Sequence, residues 1–382
     1  MLGFRQKSLA VACMLGMLFA GNVIAAGKDK SKSGQKPADP VVFSFVFLGC
    51  NRLDHDGIKA TKLKSTANEA QLQQDFSDIA KLKPAPQYVF LAGDIVEGLT
   101  EGTQDLQSQL PSWIALVTKK NPLNLATTKL IAFTGNHELL KKDRTTKVET
   151  PNQPAYAFWP RVMAPNFIAG NNGPTNTAPN LDGLLNDESQ LSYTFQSGAY
   201  FFMILNTDTQ VDQTTIGDIP MHWITAQLQT AQKNPAISHI VVMGHKPILS
   251  PDPENPSIQD SQVASFYALL NDPAGDDSPS KVRAYLSAHA HEWKYYPSLA
   301  LKNGITGKIP QVVAGNGGSP PDSNWQGNSA YFGYTLVGVT QSGVITVQSF
   351  GRKIPDPYYK QKAAPATVRA TYTLYTPSAM KQ

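Results

Sequence analysis

The sequence has 382 residues, 41% of them hydrophobic, and a formal net charge of +4. That apolar content can fill one large core or two smaller ones, and the lack of a dense Lys/Arg stripe interleaved with aromatics leaves no electrostatic footprint for nucleic acid. Two cysteines, Cys13 and Cys50, and no internal repeat exclude a disulfide scaffold and a repeat array.

Residues 1–25 read as an export signal, with Arg5 and Lys7 before an apolar run from Leu9 to Ala20 and a small-residue end at Ala25 and Ala26. The run is shorter than the roughly 20 residues of a membrane span, so a secreted or periplasmic protein without stable membrane insertion is expected. Loss of the signal removes Cys13, leaves Cys50 as the sole thiol and leaves stability to a packed core. Residues 26–40, rich in Lys, Ser, Gly and Pro, read as a flexible leader.

The main domain is expected over 41–350. Short β-branched or aromatic runs predict buried strands at 41–48, 88–91, 130–133, 200–205, 239–243, 282–286 and 311–313. Helical periods at 67–82 and 222–232 lie between them, the alternation of an α/β protein. Residues 144–190 carry many Asn, Pro and Gly and no sustained period, so they read as an irregular insertion, either a lid or a solvated decoration. Strand-like sequence returns at 331–350 as a closing hairpin, and the tail, 351–382, holds an edge strand at 367–375.

Polar clusters follow the strands, where α/β folds place their chemistry. Gly49-Cys50-Asn51-Arg52 follows the first strand, Gly93-Asp94-Ile95-Val96-Glu97 the second and Gly135-Asn136-His137-Glu138 the third. Gly244-His245-Lys246-Pro247 and Ala288-His289-Ala290-His291 come later. Carboxylate, amide oxygen and imidazole together suit Zn²⁺, Mn²⁺ or Fe, and clusters at several strand ends imply one shared site.

Asp94 in Gly-Asp-x-x-Glu, Asn136 and His137 in Gly-Asn-His-Glu, His245 in Gly-His-Lys-Pro and the pair His289/His291 resemble motifs of the calcineurin-like metallophosphoesterases, a superfamily that includes the purple acid phosphatases. Residues 192–195, 204–206 and 313–318 resemble the family's supporting text, and the likeness runs over about 41–350. It implies a sandwich of two mixed β-sheets packed face to face and flanked by helices. It further implies two metal ions, a hydroxide nucleophile and a small phosphate-ester substrate, a monoester or a diester. By position, Asp94 would bridge the ions, Asn136, His245 and His289 would complete the second ion's ligands, and His291 would bind the first. His137 would meet the phosphate as acid or donor, with Glu138 orienting its ring.

The first motif departs from the family. Where members carry Asp-x-His, this chain has Cys50-Asn51-Arg52. A guanidinium cannot ligate a cation, so Arg52 is expected either to fork onto a phosphate oxygen or to tether the loop through Asp54 or Asp56. Cys50 is either a thiolate ligand or a small strand-end residue, and Glu97 either the missing oxygen ligand or a solvated carboxylate. His55, with Asp54 and Asp56, and Asp208 are further candidates to reach the site. A binding protein that kept the fold, with no ion or a single one, is the rival to an enzyme.

Overall fold

Alternating side chains set the architecture. In β1 (Val41–Leu48), Phe43, Phe45 and Phe47 enter one apolar cluster and Val46 and Leu48 another, and all five are buried. A strand buried on both faces belongs inside a layered structure. The computed structural model, which describes residues 39–52, 69–119, 121–302, 304–355 and 363–377, shows those layers. The expected signal and Asp54, His55 and Asp56 lie outside the described residues, as does nearly all of the expected leader.

After β1 the chain forms α1 (Glu69–Ile79), β2 (Tyr88–Ala92), α2 (Gln104–Lys119) and β3 (Lys129–Phe133). The short α3 (Asn136–Leu139) leads into an antiparallel pair, β4 (Leu140–Lys142) and β5 (Glu149–Pro151), and then α4 (Gln153–Phe167). Next come β6 (Tyr193–Ser197), β7 (Tyr200–Leu205), α5 (Met221–Lys233), β8 (His239–Gly244), α6 (Asp260–Asn271) and β9 (Val282–Ser287). The last strands are β10 (Trp293–Tyr296), β11 (Gln311–Ala314), β12 (Tyr331–Thr340), β13 (Ile345–Lys353) and β14 (Thr367–Tyr375).

The strands form two six-stranded sheets, ordered β14-β13-β12-β1-β2-β3 and β10-β11-β9-β8-β7-β6. In the first, β1 to β3 are parallel and β12 to β14 antiparallel; in the second, β7, β8, β9 and β11 are parallel while β6 and β10 close the edges antiparallel. Between the sheets lies an aromatic core, in which the rings of Phe45 and Phe90 from the first sheet sit 5.5 and 5.4 Å from Phe202 of the second. Edge-on and tilted contacts of this kind add to the burial that holds the sheets together. The opposite face of the first sheet packs on α1, α2 and α4, and that of the second on α5 and α6.

Part of the expected irregular insertion is a regular helix. α4 buries Ala155, Tyr156, Phe158, Trp159, Met163 and Phe167 against the first sheet, although Pro160 and Pro165 lie inside it. Each proline forfeits a backbone hydrogen bond, and burial of the aromatic face outweighs that loss. One buried ion network ties α1 to β13: Arg352 donates to Asp75 at 2.5 Å, Asp78 at 3.0 Å and Gln71 at 3.1 Å.

Candidate metal centre

The parallel strands of both sheets run out at one end, and the polar clusters converge there. Close approach of the loops depends on glycine. Gly93, at φ +76°, faces the next loop so closely that a Cβ would lie 2.5 Å from the backbone nitrogen of Gly135 and 2.7 Å from His245 Nδ1. A Cβ on Gly135 would collide with Asp94 Oδ1. With both positions bare, Asp94 reaches the middle of the site, fully buried and itself at φ +52°. Cys50, Arg52 and His289 share this left-handed backbone, at +58°, +44° and +65°. Non-glycine residues held there store strain of about 1 to 3 kcal/mol each, a pattern concentrated at functional sites.

Asp94 faces two ways. Oδ1 lies 3.2 Å from His245 Nε2 and accepts the backbone N–H of His137 at 3.2 Å; Oδ2 accepts from an Arg52 guanidinium nitrogen at 3.3 Å. Burial alone would raise its pKa, but His137, His245 and Arg52 outweigh burial and hold the carboxyl well below the usual range.

The imidazoles are oriented by backbone carbonyls. A carbonyl can only accept, so Nδ1 carries the proton in His245 towards Ala92 O at 2.7 Å, in His137 towards Glu97 O at 2.5 Å, and in His291 towards Pro320 O at 2.8 Å. The Nε2 atoms are thereby turned inward. Glu138 has a different task from the one expected: its carboxylate accepts four backbone N–H groups, from Asp94, Ile95, Val96 and Gly135, at 2.7 to 3.1 Å. It fixes the loop that carries Asp94 and does not orient the His137 ring, because the chain after β2 wraps around it.

Asp94, His245 and His289 form a chain of contacts, and Asn136 and His289 both line the adjoining cleft. His245 Nε2 stands between Asp94 Oδ1 and His289 Nδ1, the latter 3.1 Å away. A proton on His245 satisfies that contact: burial opposes it, yet Asp94 outweighs burial and keeps the ring above its usual range. A cation would compete for the same position. Asn136 Oδ1 and His289 Nε2 are buried and have no partner among the described residues, while Asn136 Nδ2 is held by Glu149 at 3.1 Å. Burial and then His245 push His289 well below the usual imidazole range, so its ring is neutral. One carboxylate, one amide oxygen and two imidazoles make a donor set that fits a Zn²⁺, Mn²⁺ or Fe ion. The Cys50 sulfur is within 4.8 Å of the Asp94 and His245 ligand atoms. Burial and then Asp94 push its thiol up, so it stays protonated unless a cation compensates the charge.

The remaining predicted residues lie elsewhere in the site. His291 Nε2 accepts from Arg52 at 2.7 Å, so its lone pair is committed. The structure does not bring Glu97 into the group formed by Cys50, Asp94 and His245; it lines the adjoining cleft beside Arg52. The cleft, of about 830 Å³, is lined by Arg52, His137, His289 and Lys246 among others. Lys246, in the fourth cluster but not among the expected site residues, also lines the cleft, and Asp208 is its anchor, 2.5 Å from Nζ. Both are almost fully buried, which a lysine tolerates only when paired.

No protein-family model and no curated protein matches the sequence. Solved structures match the fold. A purple acid phosphatase from seeds of yellow lupin (Lupinus luteus) aligns with a TM-score of 0.55 at 14% identity, over 87% of this chain and 53% of its own. PhoD aligns at 0.52 and 14%, over 88% of this chain and 70% of its own. A dimetal phosphatase from Danio rerio aligns at 0.50 and 12%, over 82% of this chain and 98% of its own. This chain thus spans about half the length of the lupin protein.

Proposed function

We propose that this chain, which has the fold of the calcineurin-like metallophosphoesterases, is an exported, metal-dependent hydrolase of small phosphate esters. The observation that carries the reading is the run of contacts from Asp94 through His245 to His289, beside an open cleft that Asn136 and His289 line, with Asn136 Oδ1 and His289 Nε2 buried and unmatched. A metal ion held by those residues would supply a Lewis acid for a phosphoryl oxygen and would lower the pKa of water.

The protein's own groups do the rest. Arg52 reaches the cleft and offers a fixed positive charge to non-bridging phosphate oxygens. His137, its ring pinned by the Glu97 carbonyl, presents Nε2 to the cleft, where it can give or hold a proton at the leaving oxygen. Burial and then Arg52 lower its pKa, which favours the neutral ring and makes it a weak acid-side partner until a phosphate dianion arrives. Lys246, locked to Asp208, forms a charge-compensated pair on the cleft wall.

Export rests on Arg5, Lys7 and the apolar run that follows; among the described residues no helix is long and apolar enough to cross a membrane. Metal analysis of purified protein with chromogenic phosphomonoester and phosphodiester substrates tests the reading. Hydrolysis that is lost on chelation and restored by Zn²⁺ or Mn²⁺ is expected. Phosphate-ester binding without turnover, metal present, would instead favour the binding-protein reading, to which the unusual Arg52–His291 contact lends support.

A further inference from the structure

The family resemblance calls for two cations, and the residues at hand fit one. The other place, where Asp94 Oδ2 and His291 Nε2 face each other, already holds a cation of the chain's own. An Arg52 guanidinium nitrogen lies 3.3 Å from Asp94 Oδ2 and 2.7 Å from His291 Nε2, so it takes up the two donor atoms a first ion would use. His291 cannot turn another lone pair inward, because Nδ1 donates to Pro320 O at 2.8 Å.

The placement is built in. The backbone N–H groups of Asn51 and Arg52 both donate to Asp94 O, at 3.1 and 2.8 Å, which fixes the root of the arginine side chain against the residue it pairs with. Arg52 has a left-handed backbone, and its side chain is only 12% exposed. Arginine cannot shed its proton to make room. A cation placed between the same two donor atoms would meet direct repulsion from the guanidinium, and a dication twice that of a monovalent ion.

We infer that the centre holds a single ion, at Asp94, Asn136, His245 and His289, and that the Arg52 guanidinium is a permanent replacement for the second cation, bridging Asp94 and His291. The inference rests on the proposed function and narrows it. Phosphate charge is then shared between one metal ion and one arginine, and His291 serves as a positioning residue for Arg52 and not as a ligand.

The test counts ions in the full mature chain, stripped and reloaded with Mn²⁺, by elemental analysis and by electron paramagnetic resonance, which separates isolated Mn²⁺ from an exchange-coupled pair. One ion per chain with an uncoupled spectrum is expected. His291→Ala should keep that ion, and His289→Ala should weaken it by about tenfold or more. Cys50→Asp with Arg52→His, which restores the usual first motif, should take up a second ion and show coupling. Two ions in the wild-type chain, one of them lost in His291→Ala, would overturn the inference and leave the proposed function standing. No ion at all would overturn both. A folded double variant that still binds one ion would show that Arg52 is not what excludes the second.

Discussion

Two arginines, Arg52 largely and Arg352 fully buried, sit in the same sheet-built half of the molecule and differ in what surrounds them. Arg352 meets Asp75, Asp78 and Gln71, all from α1, and none of these residues has left-handed backbone. Arg52 meets one carboxylate that is already shared with His245, and a histidine, in a setting where Cys50, Asp94, His289 and Arg52 itself are all left-handed. Buried charge is therefore not the mark of chemistry. Strained backbone beside the charge is, because it costs stability and persists only where the surrounding structure over-determines it.

The sharpest way to break this comparison is to remove one carboxylate from the centre. Asp94→Asn keeps a residue type that tolerates the left-handed backbone and deletes the charge. It should abolish ion binding and lower kcat/KM by several kcal/mol, on the order of 10³-fold, with the fold intact by circular dichroism. Retention of metal and activity would sink the assignment of the site.

Arg352→Ala should do the reverse. Leaving Asp75 and Asp78 buried without their cation should cost about 3 to 5 kcal/mol of stability in denaturant titration, while the metal content of the folded protein stays unchanged. A loss of metal at full stability would mean that the two networks are one.

Arg52→Lys probes a smaller term. The lysine keeps the charge and loses the planar fork, so kcat/KM should fall by about 1.5 to 3 kcal/mol with the ion retained. Unchanged kinetics would reduce Arg52 to a tether for its loop.

A third arginine gives the mildest test. Arg283 touches a histidine as Arg52 does, donating from Nε to His239 Nδ1 at 2.9 Å, far from any ligand. Burial and then Arg283 bring His239 down from 6.5 to about 4. Between those values the unfolded chain binds a proton that the native ring refuses, so stability present above pH 6.5 is lost as pH falls towards 4. His239→Gln should flatten that part of the pH profile of the thermal midpoint. An equally steep profile in the variant would assign the acid sensitivity to other groups.

Much of this layout was legible in the sequence. β-branched and aromatic runs marked β1, β7 and β8, and the polar cluster after each parallel strand marked the site, because a buried strand must end where polar atoms begin. α2 was not among the expected helices and α4 fell in the stretch read as irregular; both carry internal prolines, Pro111, Pro160 and Pro165, although Pro154 sits in the first turn of α4, where proline is favoured. The carbonyls of Ala92, Glu97 and Pro320 that orient the histidines could not be read at all, since every residue type carries the same backbone oxygen. For the same reason Glu138 could not be told from an imidazole partner until its four N–H donors were in view.

The aromatic core joins the two sheets along their length, and the proposed ligand set would join them at one end. Asp94 and Asn136 hang from the first sheet and His245 and His289 from the second, so an ion held by all four is a rivet across the seam. Those ligands are far apart in sequence, and the seam must close before they meet, which places completion of the centre late in folding. With an ion bound it would resist sliding of one sheet past the other: at a free-ion concentration of a thousand times Kd, binding would add about 4 kcal/mol against separation. The chelated protein is accordingly the one in which the two sheets should first part on heating.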